Sequence, residues 1–365
     1  MSQKAATQRD AFLKNQTFKY WEIFLSWLFK YPSRCYSLSQ DSEPQVIENS
    51  CDALYRLGKS YRAFAGSKGI ICQVTDQPAD LDLANATLKA IYHAISDPYL
   101  CDLMSAEILA KVMAYRDLRE KDRIMIPIRH PSKGIIPVDY QVDTVFDLWN
   151  KIRAFGLTSD VRFAAPSFLL FRGTDFSLRS KGGRASIISD LDPKGPGRAV
   201  FEKAEPDLQR WLKKQGKQKT RLIGHSLGGA IVLYTLIQEF PWISTAPYAR
   251  SYAFNAPGIS DHLIREWQKI PCSHRPFFQG IISRGDVVSK FGQLFGDTVE
   301  ISLPTALSPI QAHELLLLAE PLCYMHRIAV DEENRSSSRQ FYSKMQQQTS
   351  SLIYDIGLKF LLPLP

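Results

Sequence analysis

Hydrophobic and polar positions along this chain fall into two textures. Up to about residue 118 the apolar residues recur at helical spacing; from Ile124 onward short apolar runs alternate with amphipathic stretches. Residues 18–31 (FKYWEIFLSWLFKY) are polar only at Lys19, Glu22, Ser26 and Lys30, tyrosines aside. At about 100° per residue these four form one narrow stripe, so the spacing predicts a helix that is apolar over most of its circumference. Further helices are predicted over 44–65 and 81–118, the second broken near Asp97-Pro98. The charged run 116–123 (RDLREKDR) then marks a soft boundary.

Beyond it, residues 124–128 and 134–140 read as strands and 142–155 as a helix. The run SFLLF (167–171) reads as a buried strand. An amphipathic helix is expected over 198–214, a strand over 220–223 and a helix over 227–240. Later strands are expected at 250–254, 277–283 and 299–303. Short apolar strands alternating with helices predict an α/β fold with a mainly parallel central sheet. The chain therefore divides into a helical N-terminal region (1–122), an α/β region (123–330) and a C-terminal extension (331–365). The extension is polar at first and ends in an apolar stretch, 352–365, read as a docking helix or a frayed end.

Composition narrows the function. Apolar residues are 45 % and charged residues 22 % of the 365, the balance of an ordinary globular protein. The formal net charge is +8, but the basic residues cluster only at 213–219 (KKQGKQK), read as a solvated helix end; no nucleic-acid partner is expected. The six cysteines show no metal spacing and read as reduced thiols. There is no HExxH, P-loop or GxGxxG, so neither metal nor nucleotide cofactor is expected. The N-terminal stretch lacks a charged segment followed by an apolar one, and no apolar run reaches the roughly 20 residues that cross a bilayer. These features predict no Sec-type leader and no transmembrane helix, hence a cytoplasmic protein or one exported by a leaderless route.

The strongest chemical signal is RLIGHSLGGAIVLYTL, residues 221–236. Gly224-His225-Ser226-Leu227-Gly228 fits GxSxG, with an apolar strand before it and a helix after it. That is the context of a nucleophile elbow, in which a strained strand-to-helix turn presents the serine and the helix N-terminus faces the developing oxyanion. A serine hydroxyl needs a base, and the base an orienting acid. In α/β-hydrolases the chain order is nucleophile, acid, histidine. His93, His130 and His225 precede Ser226, and His262 and His274 precede the best acid, so His313 and His326 remain. The acid is Asp286, on the turn after the strand that ends at Ser283; Asp261 and Asp297 are weaker choices. His313 is preferred as base because it lies about one loop beyond Leu303; His326 is the alternative, read as a core or helix-end histidine cradled by Tyr324 and Arg327. The oxyanion donors expected are the Leu227 N–H and Thr174, at the end of FLLFRGTD (168–175).

FLLFRGTD, GHSLGGA and a strand ending near an aspartate, in that order, resemble the class 3 lipases, the fungal-lipase-like branch of the α/β-hydrolases. YAFNAPGIS (252–260) is similar to that family's strand after the elbow, and His313-Glu314-Leu315-Leu316 to the stretch at the catalytic histidine of its plant members. The resemblance spans about 165–330 and implies an α/β-hydrolase fold, a role for the FRG(S/T) turn in the oxyanion hole, and a lid between Thr174 and Arg198. It implies a serine hydrolase acting on carboxylic esters, in particular lipid esters, of lipase or phospholipase A type. Acyl transfer, peptide hydrolysis or thioester hydrolysis would use the same machinery. The alternative is a non-catalytic lipase-like scaffold that binds lipid or protein. Trp21, Trp27 and the lysines of 18–31 suit peripheral membrane contact, while packing against the hydrolase core would bury the same helix.

Overall fold

A computed structural model describes residues 37–38, 43–68, 79–148, 152–160, 165–173, 195–217, 219–286, 288–290, 292–294 and 296–329. In chain order the main elements are β1 (Ser37–Leu38), β2 (Gln45–Glu48), α1 (Asp52–Lys68), α2 (Ala79–Ala94), α3 (Pro98–Lys111), β3 (Arg123–His130), β4 (Gly134–Asp147), β5 (Arg153–Thr158) and β6 (Ser167–Phe171). There follow α4 (Arg198–Gln215), β7 (Thr220–His225), α5 (Leu227–Gln238), β8 (Ser251–Phe254), α6 (Asp261–Lys269), β9 (Phe278–Ser283), β10 (Asp297–Ser302), α7 (Pro309–Glu314) and β11 (Leu322–Ala329).

The strands form one sheet in the order β1-β11-β10-β9-β8-β7-β6-β5-β4-β3, with β2 also paired to β11. From β6 to β10 neighbouring strands run parallel. At one end β5, β4 and β3 continue antiparallel; at the other, β11 does. A parallel pair requires a crossover, and α4, α5 and α6 provide the connections between β6, β7, β8 and β9. Every residue of β6, β7, β8 and β9 is buried, as strands covered on both faces must be.

Alternation along these strands sorts their side chains into two cores. Phe168, Leu170, Ile223, Tyr252 and Phe254 face a core shared with α1, α2 and α3. Leu169, Phe171, Leu222 and Ala253 face the opposite core, built with α4, α5 and α6. The helices of the first third thus supply one of the two layers that cover the sheet. α3 is the central one: every residue from Cys101 to Lys111 is buried, and Asp97 caps its start through the N–H groups of Tyr99 and Leu100.

The α/β-hydrolase architecture follows the sequence reading, with three corrections. The helix expected over 142–155 is β4 continuing into β5. A register shift between Val142 and Thr144 puts Val142 and Val145 on the same side, a three-residue spacing that mimics a helix. The start of the helix expected over 44–65 is strand β2, and α1 begins only at Asp52. The sheet does not end near Leu303, because β11 adds an antiparallel strand beyond β10. Residues 18–31, the lid stretch up to residue 194 and the extension 331–365 lie outside the described residues. Among the described residues no helix is long and apolar enough to cross a membrane.

Candidate active site

The site assembles at the C-terminal ends of the parallel strands, where an α/β sheet opens toward its loops. β7 runs into His225, and Ser226 turns the chain directly into α5. Ser226 holds φ 57° and ψ −126°, a strained backbone for a residue with a side chain, worth roughly 1–3 kcal/mol. The turn is tight enough to demand glycine on both sides. A Cβ on Gly224 would lie 2.5 Å from the carbonyl of Gly228, and one on Gly228 would lie 2.3 Å from the Phe171 oxygen. The Ser226 N–H is taken by Phe254 O at 2.9 Å. Leu227 opens α5, so its N–H has no intrahelical acceptor and lies next to the serine.

Asp286 follows β9 after a turn in which Gly285 adopts φ 90°. Its carboxylate accepts from the Val288 N–H at 2.9 Å and the Ser289 N–H at 3.1 Å, which fixes the plane of the group. His313 sits in α7, a short helix begun by Pro309 and by a reciprocal cap between Ser308 and Gln311. Its Nδ1 is 3.0 Å from Asp286 Oδ1 and its Nε2 is 2.9 Å from Ser226 Oγ. Facing a carboxylate, Nδ1 carries the proton and donates; Nε2 is then the lone pair turned to the serine hydroxyl. Ser226, Asp286 and His313 are all buried.

Of the residues singled out in the sequence, the structure brings Ser226, Asp286 and His313 into one hydrogen-bonded line and sets Leu227 beside them. Thr174 lies outside the described residues. His326 belongs to strand β11 rather than to a core or helix end, and its Nε2 meets Ser302 Oγ at 3.2 Å. Burial and then Arg284 hold its pKa below the ordinary histidine value; the arginine concerned comes from the β9–β10 connection, not from neighbouring Arg327. Asp297 accepts from Gln279 Nε2, and Asp261 opens α6.

Sequence reasoning did not single out Asn255 or His225 as part of the site, nor any residue of α3. Asn255, at φ 47° just after β8, donates from Nδ2 to the carbonyls of Ala312 and His313 and accepts at Oδ1 from the N–H and hydroxyl of Ser283. Its signal was the NAPG stretch after a strand, noted only as family likeness. His225 Nε2 lies 2.9 Å from His313 O, and its Nδ1 lies 3.0 Å from the Tyr115 hydroxyl. Burial, and then the neighbouring His313 and Lys111, hold its pKa well below the ordinary value, so its ring is neutral at pH 7. Among the described residues no group of histidine, cysteine and carboxylate side chains is placed to hold a metal ion.

Residues 178–295 match the family model described as Lipase (class 3), a span that includes Ser226 and Asp286 but neither Thr174 nor His313. Sequence comparison with curated proteins finds no match. Among solved structures, similar chains include a Rhizomucor miehei lipase in a propeptide complex, at 16 % identity and TM-score 0.38 over 53 % of this chain and 61 % of that one. Others are a triacylglycerol lipase from Penicillium expansum (14 %, TM-score 0.36, 57 % and 82 %) and lipase II from Rhizopus niveus (14 %, TM-score 0.33, 81 % and 93 %). The chain thus spans less than two thirds of the Rhizomucor protein's own length. Over the stretch that holds Ser226 and Asp286, about a third of its length, the chain is thus similar to the class 3 lipases.

Proposed function

We propose that this protein is a serine hydrolase that cleaves carboxylic esters of lipids through an acyl-enzyme. The observation that carries the reading is the line Ser226 Oγ, His313 Nε2, His313 Nδ1, Asp286 Oδ1, with 2.9 and 3.0 Å between partners. The class 3 family match supports the ester-hydrolase class and its lipid substrate.

Ser226 Oγ attacks the acyl carbonyl while its proton passes to His313 Nε2. Asp286 stabilises the imidazolium so formed and keeps Nδ1 protonated. The carbonyl oxygen becomes an oxyanion, which the Leu227 N–H stabilises at the α5 N-terminus, with Thr174 the second donor expected from the sequence. His313 then protonates the leaving alcohol and the tetrahedral intermediate collapses to an acyl-serine. Water deprotonated by the same nitrogen attacks the acyl group; collapse releases the carboxylic acid and restores Ser226.

The test is fluorophosphonate labelling together with p-nitrophenyl ester hydrolysis. Ser226→Ala should abolish labelling and lower kcat on the order of 10⁴–10⁶-fold with the fold intact. His313→Ala should fall comparably while His326→Ala stays near wild type. A Ser226→Ala protein with more than a tenth of wild-type turnover overturns the reading, and a folded wild type that neither labels nor hydrolyses leaves a lipase-like binding scaffold instead. If His326→Ala is dead while His313→Ala turns over, the base is misassigned.

A further inference from the structure

A helix of six residues leaves the carbonyls of its last turn without intrahelical donors, so α7 cannot by itself hold His313 in place. Its end is held from outside by buried side chains. The carbonyl of His313 lies 2.9 Å from His225 Nε2 and 2.8 Å from Asn255 Nδ2, which fills both of its lone pairs. Two residues on, the Leu315 carbonyl accepts from Lys111 Nζ at 2.7 Å, and the Glu107 carboxylate accepts the N–H groups of Leu317 and Leu318 at 3.1 Å each. Glu107 and Lys111 also pair with one another at 2.9 Å, both 2 % exposed at the side chain. They lie on α3, in the first third of the chain.

His225 is adjacent to the nucleophile, yet its ring has no free nitrogen for chemistry. The His313 carbonyl can only accept, so Nε2 carries the proton and donates. Nδ1 is then a lone pair and accepts a hydrogen bond from the Tyr115 hydroxyl at 3.0 Å. Tyr115 follows α3 directly and is itself buried. An apolar side chain here would leave the Tyr115 hydroxyl and the His313 carbonyl each short of this buried partner, whereas a ring bonded at both nitrogens defines a direction. That direction is set on the backbone of His313, whose orientation decides where its imidazole stands relative to Ser226.

We infer that His225, oriented by Tyr115, is a positioning residue for His313: the two fix the His313 carbonyl and thereby the 2.9 Å approach of its Nε2 to Ser226 Oγ. This rests on the serine-hydrolase reading above. It also gives the first third of the chain a part in the site, because Tyr115 and the Glu107–Lys111 pair are the fixed ground against which the histidine loop is set.

The test compares His225→Ala, His225→Gln, Tyr115→Phe and the double variant Tyr115→Phe/His225→Ala in the full-length protein. Readouts are kcat and KM on a soluble p-nitrophenyl ester, the rate of fluorophosphonate labelling, and the downfield proton resonance of His313 Nδ1–H. Misplacing a catalytic group by about an ångström costs on the order of 10²-fold, the drop expected in kcat for His225→Ala with KM within about twofold. The labelling rate should fall in parallel and the Nδ1 proton signal should broaden or shift. Glutamine, whose side-chain N–H can reach the same carbonyl, should restore most of the loss. Tyr115→Phe should lower kcat about fivefold, the loss of one neutral hydrogen bond, and should add nothing on the His225→Ala background.

A His225 series with kcat within twofold of wild type overturns the inference, as do losses in KM alone or a Tyr115→Phe effect that adds in full to His225→Ala. Should His225→Ala fail to fold, Tyr115→Phe and His225→Gln decide by the same readouts. Wild-type labelling and the Ser226→Ala control report on the hydrolase reading separately, so a flat His225 series in an enzyme that depends on Ser226 refutes the positioning role alone.

Discussion

Removing the carboxylate of Asp102 should cost this protein about 3–5 kcal/mol, a large share of what holds an ordinary domain together. Asp102 lies on α3 and Arg221 on β7, the strand that ends at the nucleophile turn. The guanidinium is bidentate to the carboxylate at 2.8 and 3.0 Å, and the Arg221 side chain is 1 % exposed. Its third arm donates from Nε to Arg250 O, and its plane lies 4.9 Å from the Phe168 ring. Tyr252 adds a further donor to Asp102 at 2.9 Å. Asp102→Ala therefore leaves a buried cation with two donor arms unanswered, each charge-assisted bond being worth about 1.5–3 kcal/mol. The full Coulomb attraction is not the measure, because both groups were desolvated to form the pair. For that reason Asp102→Leu/Arg221→Met, which removes both charges and keeps apolar bulk, should return to within about 2 kcal/mol of wild type. Urea unfolding at pH 7, followed by far-ultraviolet circular dichroism, reads both numbers from the shift in midpoint at constant slope. A loss below about 1 kcal/mol for Asp102→Ala, or a double variant as unstable as the two single losses summed, would refute the reasoning.

Two further outcomes follow from other parts of the chain. Burial raises the Glu314 carboxyl from its ordinary 4.5 to about 7, with neighbouring His313 opposing, and its Oε2 has no hydrogen-bond partner among the described residues. The fold thus holds a proton there that the unfolded chain has released, so stability should fall by about 3 kcal/mol as pH rises from 4.5 through 7; Glu314→Gln should abolish that fall in pH-resolved unfolding, and parallel curves would contradict it. Residues 18–31 are proposed as an interfacial anchor, and a protein lacking residues 1–32 should lose flotation with anionic liposomes; unchanged flotation would remove the anchor from consideration.

The parts of the fold visible in the sequence were those in which one short-range pattern had one reading. β6 and β7 are continuous apolar runs of strand length, and the glycines around Ser226 signalled a turn too tight for side chains. Both features depend on contacts near in sequence or on plain burial. β4 was misread because its bulge imposes a three-residue spacing on a strand, and β2 and β11 because their pairing joins distant parts of the chain and neither carries a strong alternation of its own. His326 was misplaced along with β11.

The hold of α3 on the histidine loop is a harder case, and its physics explains why. Asp102, Glu107 and Lys111 look in sequence like the solvent-facing polar residues of a helix. Pattern reading assumes that charge faces water, and that assumption fails where each charge is met inside. The partners here are Arg221, Leu317 N–H, Leu318 N–H and the Leu315 carbonyl, 119 to 211 residues away along the chain. One local clue was available. Residues 101–111 (CDLMSAEILAK) are apolar around nearly the whole helix, leaving no face broad enough to meet solvent, and a helix of that kind is buried. Once it is buried, its three charges must be paired, because an unpaired ion inside costs more than the fold can supply. The sequence therefore implies that α3 is tied by ionic or carbonyl contacts to whatever lies across from it. Only the topology, which carries β7 and the α7 loop over that helix, identifies the tie as the support of the Ser226–His313 contact.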